Sequence, residues 1–336
     1  MYRTTVLVVP RAVIASHSCR REMAPANVFV VEQLGIKDID GYGHVWYGNY
    51  LKFFHRGLQL FLGGGTVVRV EHLKYKQSVP WGAEDSRIES YLVERPSPAM
   101  AVVYQRWRVG PSADSTYAIC LSHVALEPGC ADTIAVMEPK QRLIEGREGA
   151  REPMLGMAVK NLQTGAVPPI DDAEGIIGRI LIGRHAYLDM ISPSDSTIQL
   201  VDVMDLFEQS RTELVGGQPG LKAFLDRGIS LVVGQIDALV LSKDVKITPG
   251  TDVLCEVTLI RATTGRRCFN FQQRLLRSDG MEAARVRVLM CCVDVSKGEL
   301  VPVPDDSWAY WNMRLETLGK SPSHGNGFHN QRTKLS

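Results

Sequence analysis

The chain contains 336 residues, with 38 Lys and Arg against 37 Asp and Glu, so its formal net charge is +1. This balance argues against a strongly basic nucleic-acid-binding surface and against an acidic tail. Hydrophobic residues make up 45% of the chain and charged residues 22%, which is ordinary for a globular protein with buried cores. No apolar run reaches the roughly 18 residues that a membrane-spanning helix needs. At about 150 residues per domain, the length predicts two domains.

The cysteine pattern and the first residues bear on the cellular compartment. The chain has seven cysteines. Their number is odd and they lack metal-binding spacing, which argues against a disulfide framework and favours a reducing, intracellular compartment. Residues 1–25 carry four arginines and no acid before Glu22, a composition typical of a mitochondrial transit peptide. An untargeted extension fits equally well, so the location stays open between the mitochondrion and the cytoplasm.

The first predicted domain spans residues 26–139. A strand-like run at 27–40 is followed by a helix over Tyr47–Leu62, whose polar residues form one narrow stripe. A helix that is apolar on its remaining faces is surrounded by other structure. Four strand-like runs separated by Gly and Pro follow it, which predicts an antiparallel meander.

The same order of elements recurs after a Gly- and Pro-rich linker at 140–175. The second predicted domain, 176–304, has a strand-like run, a helix near Val201–Val215 and further strand-like runs. The period is far longer than that of a solenoid, so the pattern indicates an internal repeat of a whole domain. Residues 305–336 form a C-terminal tail, whose aromatic beginning is suited to docking on a domain.

The segment with the most chemical content lies between the first strand and the first helix, and residues 38–50 read DIDGYGHVWYGNY. Asp40 precedes a Gly-rich turn that leads into the helix N-terminus, where backbone N–H groups and the positive end of the helix dipole point outward. A carboxylate there can act as a general base or nucleophile, and a carbonyl oxygen can lodge on the N–H groups as an oxyanion. Spacing alone favours a turn or capping role for Asp40.

This segment resembles the signature of the 4-hydroxybenzoyl-CoA thioesterase family of hotdog-fold proteins. In that family a D-x-D segment precedes an N/Y-x-N-Y sequence that opens the central helix, and VWYGNY at 45–50 is especially similar. The resemblance covers about residues 26–130, and about 176–300 through the order of elements. It implies the α+β fold class, with two hotdog domains in one chain, each a long central helix wrapped by an antiparallel β-sheet.

The resemblance also implies roles for individual residues. Asp40 would be the catalytic carboxylate, and the backbone N–H of Tyr47 would polarise the thioester carbonyl. The sequence departs from the family at His55, where Glu is usual, which leaves the local hydrogen bonding open. Neighbouring residues of the motif would bind the substrate, namely Gly43, His44, Val45, Trp46, Asn49 and Tyr50.

The second domain lacks this motif. Glu208 matches His55 when the two helices are aligned, and the position that matches Asp40 is then Pro193. We therefore expect a degenerate second site. Glu208 is its candidate residue, because a catalytic Glu on the central helix occurs in other hotdog thioesterases. The simpler alternative for Glu208 is a bond within its own domain, for example near Arg211.

The sequence therefore predicts an acyl-thioester hydrolase whose substrate is an acyl-CoA or an acyl-carrier-protein thioester. We expect no cofactor and no metal, since no His, Asp or Glu cluster has metal-ligand spacing. The domains are expected to pair as an intramolecular pseudo-dimer with the binding crevice at their seam, and further homo-oligomers of such units are common among hotdog proteins.

Two alternative functions stay open. One is a hotdog dehydratase or hydratase acting on 3-hydroxyacyl thioesters, against which the spacing of His44 from Asp40 counts. The other is a non-catalytic protein that binds acyl thioesters, which the altered second domain favours.

Overall fold

The structure is a computed structural model of the chain. The residues that it describes are 27–30, 45, 47–80, 83, 85–110, 116–128, 177–182, 200–242, 245, 247, 253–262 and 265–319. The arginine-rich residues 1–25 and the predicted linker at 140–175 lie outside the described residues, so their proposed roles stay predictions.

The described residues of the first half form five strands and one helix. In chain order they are β1 (Asn27–Val30), α1 (Tyr47–Leu62), β2 (Thr66–Tyr75), β3 (Arg87–Ser97), β4 (Met100–Arg108) and β5 (Thr116–Ala125). Helix α1 begins and ends at the residues that the sequence pattern predicts. It stops at Gly63, whose φ of 76° is in the left-handed region that favours glycine. Strand β3 continues through Pro96 to Ser97, where the sequence predicted a turn. The hairpin turns at 98–99 instead, because a proline is tolerated at an irregular strand end.

The second half repeats this order and adds two helices. Its elements are β6 (Ile177–Ile182), α2 (Leu200–Leu214), α3 (Gly217–Leu225), β7 (Ile229–Leu241), β8 (Val253–Ala262), β9 (Cys268–Arg277), β10 (Glu282–Asp294) and α4 (Asp305–Gly319). Helix α2 is the predicted second helix shifted by one residue. The sequence pattern did not predict α3, because its two glycines and one proline are usual in turns. Pro219 stands in the first turn of α3, where a missing N–H leaves no hydrogen bond unmade.

The ten strands in the described part of the chain belong to one sheet in the order β1-β3-β4-β5-β2-β7-β10-β9-β8-β6. Every pair of neighbours is antiparallel, so the predicted α+β class with an antiparallel sheet is confirmed. Read inward from either edge, the strands follow the same order, with β6 to β10 in the places of β1 to β5. The halves meet where β2 pairs with β7, in a register that sets Leu73 opposite Ile236.

The two long helices lie against each other and against corresponding strands. Helix α1 contacts β1 and β3, and helix α2 contacts β6 and β8. The Lys52 ammonium lies 3.7 Å from the Asp205 carboxylate, whereas Tyr47, at the start of α1, reaches Arg211 near the end of α2. The helices therefore run in opposite directions across the seam.

Aromatic side chains fill the space between α1 and the sheet. Trp107 of β4 is fully buried, and the rings of Tyr50, Phe53 and Phe54 surround it at centroid distances of 4.9, 5.1 and 6.2 Å. Its indole N–H donates to Ser86 Oγ at 2.7 Å. Each such buried side chain contributes about 1.5–3 kcal/mol through the hydrophobic effect, which holds α1 in the position that its sequence predicted.

The aromatic beginning of the C-terminal tail packs on the second half. Trp311 of α4 is buried, with its ring centroid 5.3 Å from that of Phe269 in β9 and 5.8 Å from that of Phe224 in α3. Helices α3 and α4 thus extend the core of this half beyond the elements that the first half has. Among the described residues, no helix is long and apolar enough to cross a membrane.

Candidate functional site

The segment that follows β2 holds the start of α1 in place. Val45 donates its N–H to the carbonyl of Val79 at 2.8 Å, and the N–H of Val79 donates to the Tyr50 hydroxyl at 2.9 Å. The Tyr75 hydroxyl donates to the carbonyl of Tyr47 at 3.0 Å. Three hydrogen bonds therefore fix both sides of the point where the motif becomes helical.

The described residues of the motif differ in how far they are buried. Val45, Asn49 and Tyr50 are almost fully enclosed, and the Tyr50 ring packs edge-on against Tyr75 at 5.0 Å. Tyr47 is half-buried at the seam between the halves. The remaining motif residues lie outside the described residues, and these are Asp40, Gly43, His44 and Trp46.

The Tyr47 side chain reaches across the seam to the second half. Its hydroxyl accepts a hydrogen bond from the Arg211 guanidinium and shares one with the Glu208 carboxylate. The guanidinium carbon also lies over the Tyr47 ring, 5.6 Å from its centroid. Two candidates that the sequence placed in separate domains, Tyr47 and Glu208, are thereby brought together, and Glu208 makes a bond outside its own half.

Burial and nearby charges determine the protonation states at this point. Burial raises the pKa of Tyr47 well above its ordinary value, Arg211 lowers it and Glu208 raises it. The phenol therefore stays protonated at neutral pH and can donate to the Glu208 carboxylate while it accepts from Arg211. Burial also lowers the pKa of His55, so this imidazole is neutral at pH 7.

A buried glutamine fastens each long helix to its sheet in the same manner. Gln105 Nε2 donates to the carbonyl of Phe54 in α1 at 3.0 Å, and Gln273 Nε2 donates to the carbonyl of Phe207 in α2 at 2.7 Å. Both glutamines are completely buried. Matching these two bonds gives an alignment of the two helix sequences, in which Phe54 corresponds to Phe207.

With this alignment, the helices differ where they face the glutamines. Gly57 of α1 corresponds to Ser210 of α2, and a Cβ at Gly57 would lie 3.1 Å from Gln105 Nε2. The Ser210 hydroxyl instead accepts from Gln273 Nε2 at 2.6 Å. One residue further along, the first half has Leu58 and the second half has Arg211. At these two aligned positions, the helix of the first half is therefore apolar and the helix of the second half is polar.

The same alignment pairs Lys52 with Asp205, which are also the two residues that face each other at 3.7 Å. A residue that contacts its own counterpart lies on the axis that relates two copies of a fold. Burial raises the pKa of Asp205, and Lys52 lowers it. Opposite charges thus stand where two identical halves would bring like charges together.

Arg211 and Gln273 were not among the residues that the sequence singled out for the site. A signal for them existed, since QR occurs in both the fourth and the ninth strand, at 105–106 and 273–274. The helix alignment that matches Glu208 with His55 also places Arg211 opposite Leu58. Among the described residues, no group of three or more His, Cys, Asp or Glu could hold a metal ion.

No protein-family model matches the chain, and no curated protein matches it in sequence. Solved structures do resemble it. A 12:0-ACP thioesterase from Umbellularia californica is 11% identical, with a TM-score of 0.47 over 79% of this chain and 94% of that one. An acyl-ACP thioesterase from Bacteroides thetaiotaomicron is 8% identical, with a TM-score of 0.49 over 79% and 97% of the two chains. A DHNA-CoA thioesterase from Staphylococcus aureus is 12% identical, with a TM-score of 0.33 over 43% and 91%. Each of these three solved structures is described as a thioesterase.

Proposed function

We propose that the chain is an acyl-thioester hydrolase built from two paired hotdog domains, residues 26–139 and 176–304, with its active site at the start of α1. The observation that carries the proposal is the position of Tyr47. It begins α1, as the thioesterase-like motif requires, and it lies at the seam in contact with Glu208 and Arg211 of the other half. An acyl thioester of CoA or of an acyl carrier protein is the proposed substrate.

The proposed chemistry uses the N-terminus of α1 as the electrophilic element. The first N–H groups of a helix point out along its axis, and the helix dipole is positive there. A thioester oxygen bound at the Tyr47 N–H would be stabilised as negative charge develops on it during attack. Stabilisation of this kind typically contributes a factor of about 10²–10³ in rate.

Asp40, seven residues before Tyr47, is the proposed catalytic carboxylate. It attacks the thioester carbon directly or removes a proton from a water molecule that does so. In the direct route the carrier thiolate leaves, an acyl anhydride forms on Asp40, and water hydrolyses that anhydride to the free acid. In the other route the attacking water adds to the carbonyl, the carrier thiolate leaves, and the free acid is formed at once. Neither route needs a metal or a cofactor.

Glu208 is proposed to support this site and not to form a second one. Its hydrogen bond to the Tyr47 hydroxyl gives it a role in holding the start of α1. The sequence before the helix of the second half has no counterpart of Asp40, because Pro193 stands at the matching position. The proposal is therefore one site per chain, with contributions from both halves.

The two alternatives make different demands on the chain. A hydratase or dehydratase acting on 3-hydroxyacyl thioesters needs a histidine placed to act with the carboxylate, and the four-residue spacing of His44 from Asp40 counts against it. A non-catalytic binding protein needs the crevice but no carboxylate. It predicts that acyl thioesters bind and are not cleaved.

The experiment that tests the proposal compares Asp40→Asn with Glu208→Gln. Each variant removes one negative charge and keeps the size of the side chain. We expect Asp40→Asn to lower the rate of thiol release by about 10²-fold or more with an unchanged thermal midpoint. Glu208→Gln should have a smaller effect, because its amide can still accept from Tyr47.

The thermal midpoint, measured on the same preparations, separates catalysis from capping. If Asp40→Asn melts earlier and hydrolyses normally, Asp40 only caps the turn and the catalytic assignment is wrong. If Glu208→Gln loses as much activity as Asp40→Asn, the second half takes part in the chemistry, and the proposal of a single carboxylate fails.

A further inference from the structure

Arg211 is a charged residue in a place where the other half of the molecule has a leucine. It stands on α2 with only 3% of its surface exposed, and its counterpart on α1 is Leu58. Removing a guanidinium from water is unfavourable unless hydrogen bonds and opposite charge replace the water. Its surroundings must therefore supply specific partners, and those partners indicate what the charge does.

The partners of Arg211 lie on both sides of the seam. One nitrogen, Nη1, donates to Gln273 Oε1 within the second half. The other, Nη2, donates to the Tyr47 hydroxyl in the first half. The Glu208 carboxylate, which also bonds that hydroxyl, supplies the opposite charge.

Gln273 is itself oriented, and its orientation directs Arg211. Its Nε2 donates to the carbonyl of Phe207 and to the Ser210 hydroxyl at 2.6–2.7 Å, so its oxygen must point toward Arg211. In the first half, Gln105 makes the equivalent bond through Nε2, and its buried Oε1 has no hydrogen-bond partner among the described residues. The cation is therefore not a requirement of the helix-to-sheet connection, since the first half makes that connection without one.

We propose that Arg211 is a positioning residue for the active site at the start of α1, and that it acts through the Tyr47 side chain. This inference rests on the proposed function. The Tyr75 hydroxyl holds the carbonyl of Tyr47 from within the first half, and Arg211 holds its phenol from the second half. Together they fix the residue whose N–H receives the thioester oxygen. Misplacing a catalytic group by about 1 Å can lower a rate by about 10²-fold, so this support controls turnover.

The proposal explains why the second half is retained although it lacks a motif of its own. The paired glutamines show that both halves have the same internal connection. At the equivalent helix position the first half has Leu58 and the second half has Arg211, which bonds Tyr47 of the first half. The site is thus complete only when both halves are paired.

The test replaces Arg211 with leucine, the residue that the first half has at this position. Amide hydrogen exchange, followed by mass spectrometry, then reports on the start of α1 without reference to activity, through hydrogen-bonded amides such as that of Val45. We expect exchange in the peptide that covers Val45 and the first two turns of α1 to become about 10-fold faster in Arg211→Leu. We also expect kcat for an acyl-CoA to fall about 10-fold or more with KM within about twofold of the wild type.

Three further variants make the result specific. Arg274→Leu removes a part-exposed arginine next to Gln273, one that pairs with Glu282 at 2.7 Å, and should change neither exchange nor kcat. In a Tyr47→Phe background, Arg211→Leu should cause little additional loss of kcat, because the hydroxyl through which it acts is already gone. Arg211→Lys keeps a cation but cannot bond two partners as a planar guanidinium does. It should fall between wild type and Arg211→Leu, and it replaces that variant if the leucine prevents folding.

The outcomes separate this proposal from the proposed function. Unchanged exchange at the start of α1 in Arg211→Leu overturns the anchoring role whatever the activity. Faster exchange with an unchanged kcat overturns the positioning role, as does a full additional loss of kcat in the Tyr47→Phe background. If the wild-type chain releases no thiol from any acyl-CoA, the proposed function fails and the positioning role fails with it. The exchange result then still decides whether Arg211 anchors Tyr47.

Discussion

The two buried glutamines offer a controlled measurement of what the cation adds. They sit at equivalent positions, each donates to one helix carbonyl and one serine hydroxyl, and Gln273 also accepts from Arg211. We consider replacing each with methionine, which has a similar length and no hydrogen-bonding amide. Gln105→Met removes bonds from Nε2 only. Gln273→Met removes the corresponding bonds and also takes away the oxygen that receives Arg211.

The expected effects on the free energy of unfolding follow from the number and kind of these bonds. Two neutral hydrogen bonds contribute about 1–3 kcal/mol together, at about 0.5–1.5 kcal/mol each. The helix carbonyls that lose an amide donor keep their bonds within the helix, so they are not left without a partner. A hydrogen bond to a charged group contributes about 1.5–3 kcal/mol. We therefore expect Gln273→Met to be more destabilising than Gln105→Met by about 1.5–3 kcal/mol.

Urea unfolding of both variants beside the wild type measures this difference, with fluorescence and far-ultraviolet circular dichroism as separate probes. The comparison is valid where the two probes give the same midpoint and the slope with urea is unchanged. Equal losses in the two variants, or a larger loss in Gln105→Met, would refute the reasoning. The hydrogen bond between Arg211 and Gln273 would then contribute nothing measurable to the free energy of unfolding. Gln273 would not stabilise the contact of Arg211 with Tyr47.

Two further predictions concern titration and pairing of the halves. Burial and the charge of Arg69 lower the pKa of His123 from 6.5 to about 4, although the Glu71 carboxylate lies 3.7 Å away. That carboxylate is bonded to Arg69 at 2.6 Å, which offsets its charge. Because the pKa of His123 is lower in the folded state than in the unfolded state, protons bind the unfolded state more tightly. The folded state is therefore unaffected above pH 6.5 and loses stability as the pH falls from 6.5 toward 4. The free energy of unfolding, measured with urea at several pH values, should fall by up to roughly 3 kcal/mol more in the wild type than in His123→Gln between pH 6.5 and 4. Equal pH dependence in the two proteins would contradict this. At the axis between the halves, Asp205→Lys should lower the free energy of unfolding by about 1 kcal/mol more than Asp205→Asn. Adding Lys52→Asp should recover the difference in the same assay, and failure to recover it would show that the pair does not interact.

The arrangement of elements could be predicted largely from the sequence because it depends on periodic patterns. The narrow polar stripe of Tyr47–Leu62 predicted a buried helix with the observed ends, and the helix near Val201–Val215 is shifted by a single residue. The spacing of apolar and polar residues is contained in the local sequence, and it predicts the type of element and the face that it buries. The order of strands did not follow from these patterns: the sequence predicted a meander of four successive strands, whereas β2 pairs with β5 and β7 and not with β3.

Other features depended on contacts between distant residues and could not be predicted from local patterns. Helix α3 contains residues that are usual in turns, and it forms because Phe224 packs against the tail. Tyr50 is part of the motif, but its hydroxyl accepts from the N–H of Val79, a partner that spacing does not identify. The contact of Tyr47 with Glu208 and Arg211 joins residues from the two halves. Predicting this contact would have required knowing which faces of the two halves pack together.

Thiol release by the wild-type chain from acyl-CoAs of increasing chain length tests the central claim most directly. The proposed function predicts that at least one member of the series releases free thiol with a saturable rate, and that Asp40→Asn loses this activity while it retains the thermal midpoint of the wild type. Binding of the same acyl-CoAs should be measured by calorimetry in parallel. Acyl-CoAs that bind the wild-type chain without any release of thiol would contradict the claim, and the chain would then be a protein that binds acyl thioesters without cleaving them.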